Sequence, residues 1–174
     1  MKQHPMTRHQ TAQHQPGDGA QGDSAPVFDE LMAEVLAVSE RFGHREHVHL
    51  TWLAVRRCGI PAAVGLVSDG IRRTARYAGA PQKYHATVSR AWVELVGHHA
   101  AECGEGEFAA FADRNPALLD KRLLTRFYRP VTLASPRAKS GWVEPDLAPF
   151  PWVSGRACAS APRCDDRRPP VADR

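Results

Sequence analysis

Arg41-Phe42-Gly43-His44-Arg45-Glu46-His47-Val48-His49-Leu50-Thr51-Trp52 places three histidines within six positions, just where one apolar helical pattern stops and another starts. Upstream, Val27, Leu31, Val35 and Val38 recur with Phe28, Met32, Leu36 and Phe42 at helical spacing. That stripe predicts a helix from near Pro26 to Phe42, with Asp29 and Glu30 in its first turn where the dipole favours negative charge. Gly43 fits the residue just past the helix end. A second helix is expected from His44 to Arg57, with His44, His47, Val48, Thr51 and Val55 on one face and His49 turned to solvent.

The same pattern carries the chain onward. Gly59 closes the second helix, and Pro61 opens a third at a first-turn position, where its missing N–H removes no bond. Gly79-Ala80-Pro81 breaks it, and a fourth helix is expected from Gln82 to Ala101, with His85, Val88, Ser89, Trp92, Leu95, Val96 and His99 along one face. On that reading His85 points to the core one turn inside the helix. Two short helices follow, Phe108 to Arg114 and Pro116 to Tyr128. Between Arg129 and Trp152 five prolines forbid a long helix, yet Val131, Leu133, Trp142, Val143, Leu147, Phe150 and Trp152 are too apolar for a free tail. An extended strap across the bundle is expected there. No internal repeat or alternating strand pattern is evident. The fold class is therefore all-α: a compact bundle of about four main helices, a short helical pair and a proline-rich strap.

Residues 1–25 are rich in Gln, His, Gly and Pro, and residues 154–174 in Ala, Pro and Arg; both are read as disordered tails flanking one domain over 26–153. The chain has 174 residues and a net charge of +4, of which the last tail, with five Arg against three Asp, holds +2. The remaining excess is too small to make a basic stripe, so nucleic acid is not an expected partner. No apolar run reads as long enough to cross a bilayer, and the N-terminus lacks the apolar segment of a signal peptide. A cytoplasmic location and four free thiols, Cys58, Cys103, Cys158 and Cys164, follow as expectations, since no C-x-x-C pair is present.

The chemistry that stands out is metal ligation. His44 and His47 lie three apart, close enough on a helix for both imidazoles to reach one ion, and His85 can complete a three-nitrogen set from a facing helix. Three protein ligands with an open position are the arrangement of a catalytic metal, with a small molecule or water at the fourth. Zinc, iron and copper all accept imidazole and are not distinguishable from the residues. Tyr84, Thr87 and Ser89 are the candidate hydrogen-bonding supports. Glu94, two and a half turns from His85, is a poor fourth ligand. The blander reading makes His44 a helix-start residue and His85 a buried histidine bonded to a backbone oxygen. There is no H-E-x-x-H, no nucleophile elbow and no G-x-x-x-x-G-K, which sets aside zinc-protease, serine-hydrolase and phosphate-loop readings.

Phe42-x-His44-x-x-His47-Val48, Ser68-Asp69-Gly70-Ile71-Arg72-Arg73, Lys83-Tyr84-His85-Ala86-Thr87, Asn115-Pro116-x-Leu118-Leu119-Asp120 and Tyr128-Arg129-Pro130 together resemble a family of short, uncharacterised bacterial helical proteins, in order and spacing from Phe42 to Asp146. The resemblance implies that the histidine pair and the K-Y-H-x-T segment belong to one unit; it implies no activity. Two functions are thus expected. One is a metal-binding protein or small metal-dependent enzyme using His44, His47 and His85 on one divalent ion. The alternative is a non-catalytic binding or accessory module with structural histidines, in which the aromatic strap or Arg72, Arg73 and Arg76 meet a partner protein.

Overall fold

The computed structural model describes residues 24–104 and 106–152. Within them the chain is all-α. Helix α1 is Ser24–Ala37, α2 His44–Tyr77, α3 Ala86–Cys103, α4 Phe108–Arg114, α5 Pro130–Ala134 and α6 Pro136–Ser140, with 3-10 turns at Pro81–Lys83, Pro116–Leu119 and Leu123–Arg126. Of the segment expected as an N-terminal tail, Ser24 and Ala25 belong to α1; the rest of it, and 154–174, lie outside the described residues.

Gly43 does not end the first helix. That helix stops at Ala37, where Val38 and Ser39 turn back onto Val35 and Leu36. Gly43 instead caps α2 in an extended conformation, its N–H donating to the Glu46 carboxylate at 2.9 Å. The Ser39 hydroxyl reaches the same carboxylate. Burial alone would raise the Glu46 pKa, but the backbone N–H groups of Glu46 and Gly43, the Ser39 hydroxyl and Arg45 hold it below the ordinary value.

The expected second and third helices are two arms of α2, hinged at Gly59 (φ 74°, ψ 165°). This is backbone that glycine alone adopts without strain. Gly59→Ala is therefore expected to cost about 1–3 kcal/mol. Urea unfolding would read the loss; an unchanged midpoint would show that the hinge tolerates a side chain. Contrary to the expectation that no apolar run is long enough to cross a bilayer, α2 contains an 18-residue window of mean hydropathy 1.3 that is long and apolar enough by length and composition; 39% of it is buried inside the fold.

Both arms of α2 hold α1. Phe28 lies on Gly70, where an added Cβ would meet its ring at 2.1 Å. Arg73 covers the ring from above at 5.5 Å and bonds Asp29 and the Ala25 carbonyl, while Arg57 pairs with Glu30 at 2.9 Å. Val35 joins Leu50 and Ala54 of the first arm. Helix α3 closes on α2 at the hinge itself, with Ile60 filling the space that a side chain at Gly97 would occupy. A second core joins Trp52, Trp92, Leu95 and Val96 to Phe111, Leu118, Tyr128 and Phe150.

The predicted helix over 116–128 is instead two 3-10 turns. Asp120 is extended there, and its carboxylate accepts from the Arg122 N–H, an alternative to helical bonding. The strap also begins with helical turns: Pro130 and Pro136 each sit at the start of one, α5 and α6. From Gly141 to Phe150 it has no regular secondary structure, and it buries Phe150 against Tyr128, Phe127 and Trp152. The Tyr128 hydroxyl donates to the Val143 carbonyl at 2.9 Å, and burial pushes that phenol well above its ordinary pKa. Thr87 pins the same segment to α3, donating to Gly141 O at 2.6 Å and accepting from the Val143 N–H.

Candidate functional site

The three singled-out histidines line one pocket of about 340 Å³, at the start of α2 and of α3. Phe42, Gly43, His44 and His47 come from one segment, Lys83 and His85 from the other, with Ile71, Val88, Ser89 and Trp92 completing the wall. Thus the F-x-H-x-x-H and K-Y-H segments, some forty residues apart, meet in space.

The three imidazoles are not equivalent. His85 is the N-cap of α3 rather than a residue one turn inside it, because Tyr84 and His85 are extended after the Pro81–Lys83 turn. Its Nδ1 accepts from the Val88 N–H at 3.3 Å, so the proton is on Nε2, which donates to the Leu133 carbonyl at 2.7 Å. Both ring nitrogens are engaged, and His85 as it stands offers no lone pair to a metal. His44 turns its Nε2 to the Leu118 carbonyl at 3.0 Å and sets its ring edge-on to Trp92, with centroids 4.7 Å apart. The ordinary role of each is to tie a distant backbone carbonyl to a helix start. Losing the cap and the Leu133 bond together, His85→Ala is expected to cost about 2 kcal/mol, and His85→Asn, which restores the cap alone, about half that. Thermal unfolding of the two variants would check this; equal losses would remove the cap from the account.

His47 differs. It lines the pocket, and among the described residues its ring nitrogens have no hydrogen-bond partner and neither is fully buried. Burial lowers its pKa from 6.5 to about 4, with the neighbouring His44 adding to the effect. At neutral pH the ring is uncharged and keeps one N–H donor and one acceptor. Among the described residues no three His, Cys, Asp or Glu side chains are grouped so as to hold a metal ion.

The expected supports for a metal are placed elsewhere or differently. Tyr84 lies under the Arg72 guanidinium, 4.6 Å from ring centre, and shares a 3.3 Å hydrogen bond with it. Thr87 holds the strap. Ser89 is buried and borders the pocket. Glu94 pairs with Arg90 at 2.6 Å. Arg72 and Arg73 are engaged by Asp69, Tyr84, Asp29 and Phe28. Cys58 and Cys103 are free thiols, as expected; Cys158 and Cys164 lie outside the described residues.

His49 is not turned to solvent. It stacks on Phe108 with centroids 4.0 Å apart and 9° between planes, beside Trp52. It lines a larger pocket of about 640 Å³ between the end of α1, the first arm of α2 and the start of α4, shared with Arg45, Arg56 and Glu34. The H-x-x-W spacing of His49 and Trp52 was a signal for this, since residues three apart are helix neighbours. What it lacked was Phe108, more than fifty positions on.

No family model matches the chain, and neither does any curated protein or solved structure.

Proposed function

We propose that this chain is a non-catalytic helical binding module that takes one small organic molecule in the pocket between the starts of α2 and α3. The observation that carries this reading is the division of labour among the histidines. His44 and His85 are tied to the Leu118 and Leu133 carbonyls, while His47 lines the cavity with no hydrogen-bond partner on its ring among the described residues. At about 340 Å³ the pocket falls in the size range of small-molecule sites, and Phe42, Ile71, Val88 and Trp92 give it an apolar side facing a comparable polar lining of His44, His47, Lys83, His85 and Ser89. A set of single-ring fragments of positive, zero and negative charge, followed through the His47 ring and Trp92 indole NMR signals, tests it. At least one fragment should shift both signals saturably, and Val88→Phe, which narrows the pocket, should abolish that shift. Silence across the whole set, or binding indifferent to Val88→Phe, would sink the reading.

A metal-dependent site is the second reading, motivated by three histidines lining one cavity. It requires His85 and His44 to release their carbonyls and turn inward. Elemental analysis of the full chain with His4, His9 and His14 replaced by Gln decides it. Stoichiometric zinc, iron or copper that disappears in His47→Leu would establish the ion; its absence from the parent protein would dismiss it.

A further inference from the structure

We propose that the ligand of the His47 pocket is a small aromatic monocarboxylate, its ring against Phe42, Ile71, Val88 and Trp92 and its carboxylate towards His47 and Lys83. This rests on the binding-module reading above and adds the sign of the charge. Among the ten described residues that line the cavity, Lys83 is the one formal charge and none is Asp or Glu; the Glu46 carboxylate stands behind Gly43, held on its N–H. A cationic ligand would meet the Lys83 ammonium and no carboxylate among the lining residues. Two helices, α2 and α3, begin at the pocket's edge, contributed through Gly43, His44 and His85. The Glu46 carboxylate already meets the α2 end through the Gly43 N–H, so the partial positive charge that remains for a ligand is that of the α3 end. The uncharged His47 ring adds an N–H donor without adding a cation, which suits a carboxylate oxygen.

Size and wall chemistry narrow the anion further. Inorganic phosphate would leave the four apolar side chains uncovered, whereas a ring covers them and a flat carboxylate reaches past them. By comparison, the larger pocket beside His49 carries Glu34, Glu46 and Glu107 along with Arg45 and Arg56, so it has no such bias of sign.

The test uses the full chain with benzoate, its neutral isostere benzamide, and inorganic phosphate, read at the His47 ring and Trp92 indole signals. Benzoate should bind saturably, benzamide at least about ten-fold more weakly, and phosphate should leave Trp92 unmoved. Lys83 is exposed on the Pro81–Lys83 turn, so Lys83→Glu should leave thermal unfolding unchanged. It should weaken benzoate about ten-fold or more and leave benzamide as it was. Equal binding of benzoate and benzamide, or indifference of benzoate to Lys83→Glu, overturns the assignment of charge while leaving the pocket a binding site. A silent benzoate beside a neutral fragment that binds has the same meaning. Silence of every fragment removes both proposals.

Discussion

Phe28→Ala should lower the unfolding free energy by about 3–5 kcal/mol, the largest loss expected from any single truncation of α1. The ring is 1% exposed and sandwiched between the bare backbone at Gly70 and the Arg73 guanidinium, so its removal opens a void that α1 cannot close without leaving α2. Gly70→Ala attacks the same contact from the other side. Its methyl would meet the Phe28 ring at 2.1 Å, and forcing the two apart costs about 1–3 kcal/mol even after the helical preference of alanine is counted. Together the changes should partly compensate, because the methyl occupies space the ring has vacated. The double variant is expected to be at least about 1 kcal/mol more stable than the sum of the singles. Denaturant titration of the four proteins closes the cycle. Strict additivity would mean that Phe28 and Gly70 do not share the contact described.

Acid should unfold the protein earlier than its carboxylates alone require, because of His47. Burial first, and His44 second, hold its folded pKa at about 4, below the ordinary 6.5. A base with a depressed folded pKa takes its proton preferentially in the unfolded chain. Stability is therefore complete above about pH 6.5 and falls as the pH drops towards 4. The full shift corresponds to about 3 kcal/mol, and the opening of the ring to the pocket reduces this to about 2 kcal/mol. In His47→Leu that slope should shrink between pH 6.5 and 4, what remains there coming from His49 and His99, whose pKa values burial also lowers, and from carboxylates at lower pH. A parallel pair of stability–pH curves for the two proteins would refute the assignment. A carboxylate ligand beside the ring should shift the His47 titration upward, which connects this measurement to the benzoate experiment.

Helix α4 is the element read most closely from sequence: it spans Phe108–Arg114 as expected, with Glu107 and Asn115 at its ends. Gly59 and Pro61 likewise marked the bend in α2. The 3-10 turns after Pro116 were not legible as such, since a short Asp120 side-chain bond outcompeted an otherwise good apolar repeat. The strap was legible as apolar and proline-broken, but two of its prolines start helical turns, a role that depends on where the preceding Arg129 and Ser135 are held. Part of that holding is Asp146, whose carboxylate accepts from the Arg129 N–H and the Thr132 hydroxyl; these bonds keep its pKa below the ordinary value.

Periodicity and helix punctuation are local, so the all-α class, the start of α2 at His44 and the inward face carrying His44 and His47 were determined by the sequence alone. His85 was expected beside them as a residue one turn inside its helix; it lines the same pocket as the N-cap of α3 instead. What each imidazole does was decided only by tertiary structure. Leu118 and Leu133, from segments that arrive 74 and 48 residues away in the chain, occupy His44 and His85 with backbone carbonyls. A ring nitrogen that satisfies a distant carbonyl cannot be told from a free one by spacing, because the carbonyl's position depends on how the whole chain packs. Only in the packed fold is His47 the imidazole left facing the pocket.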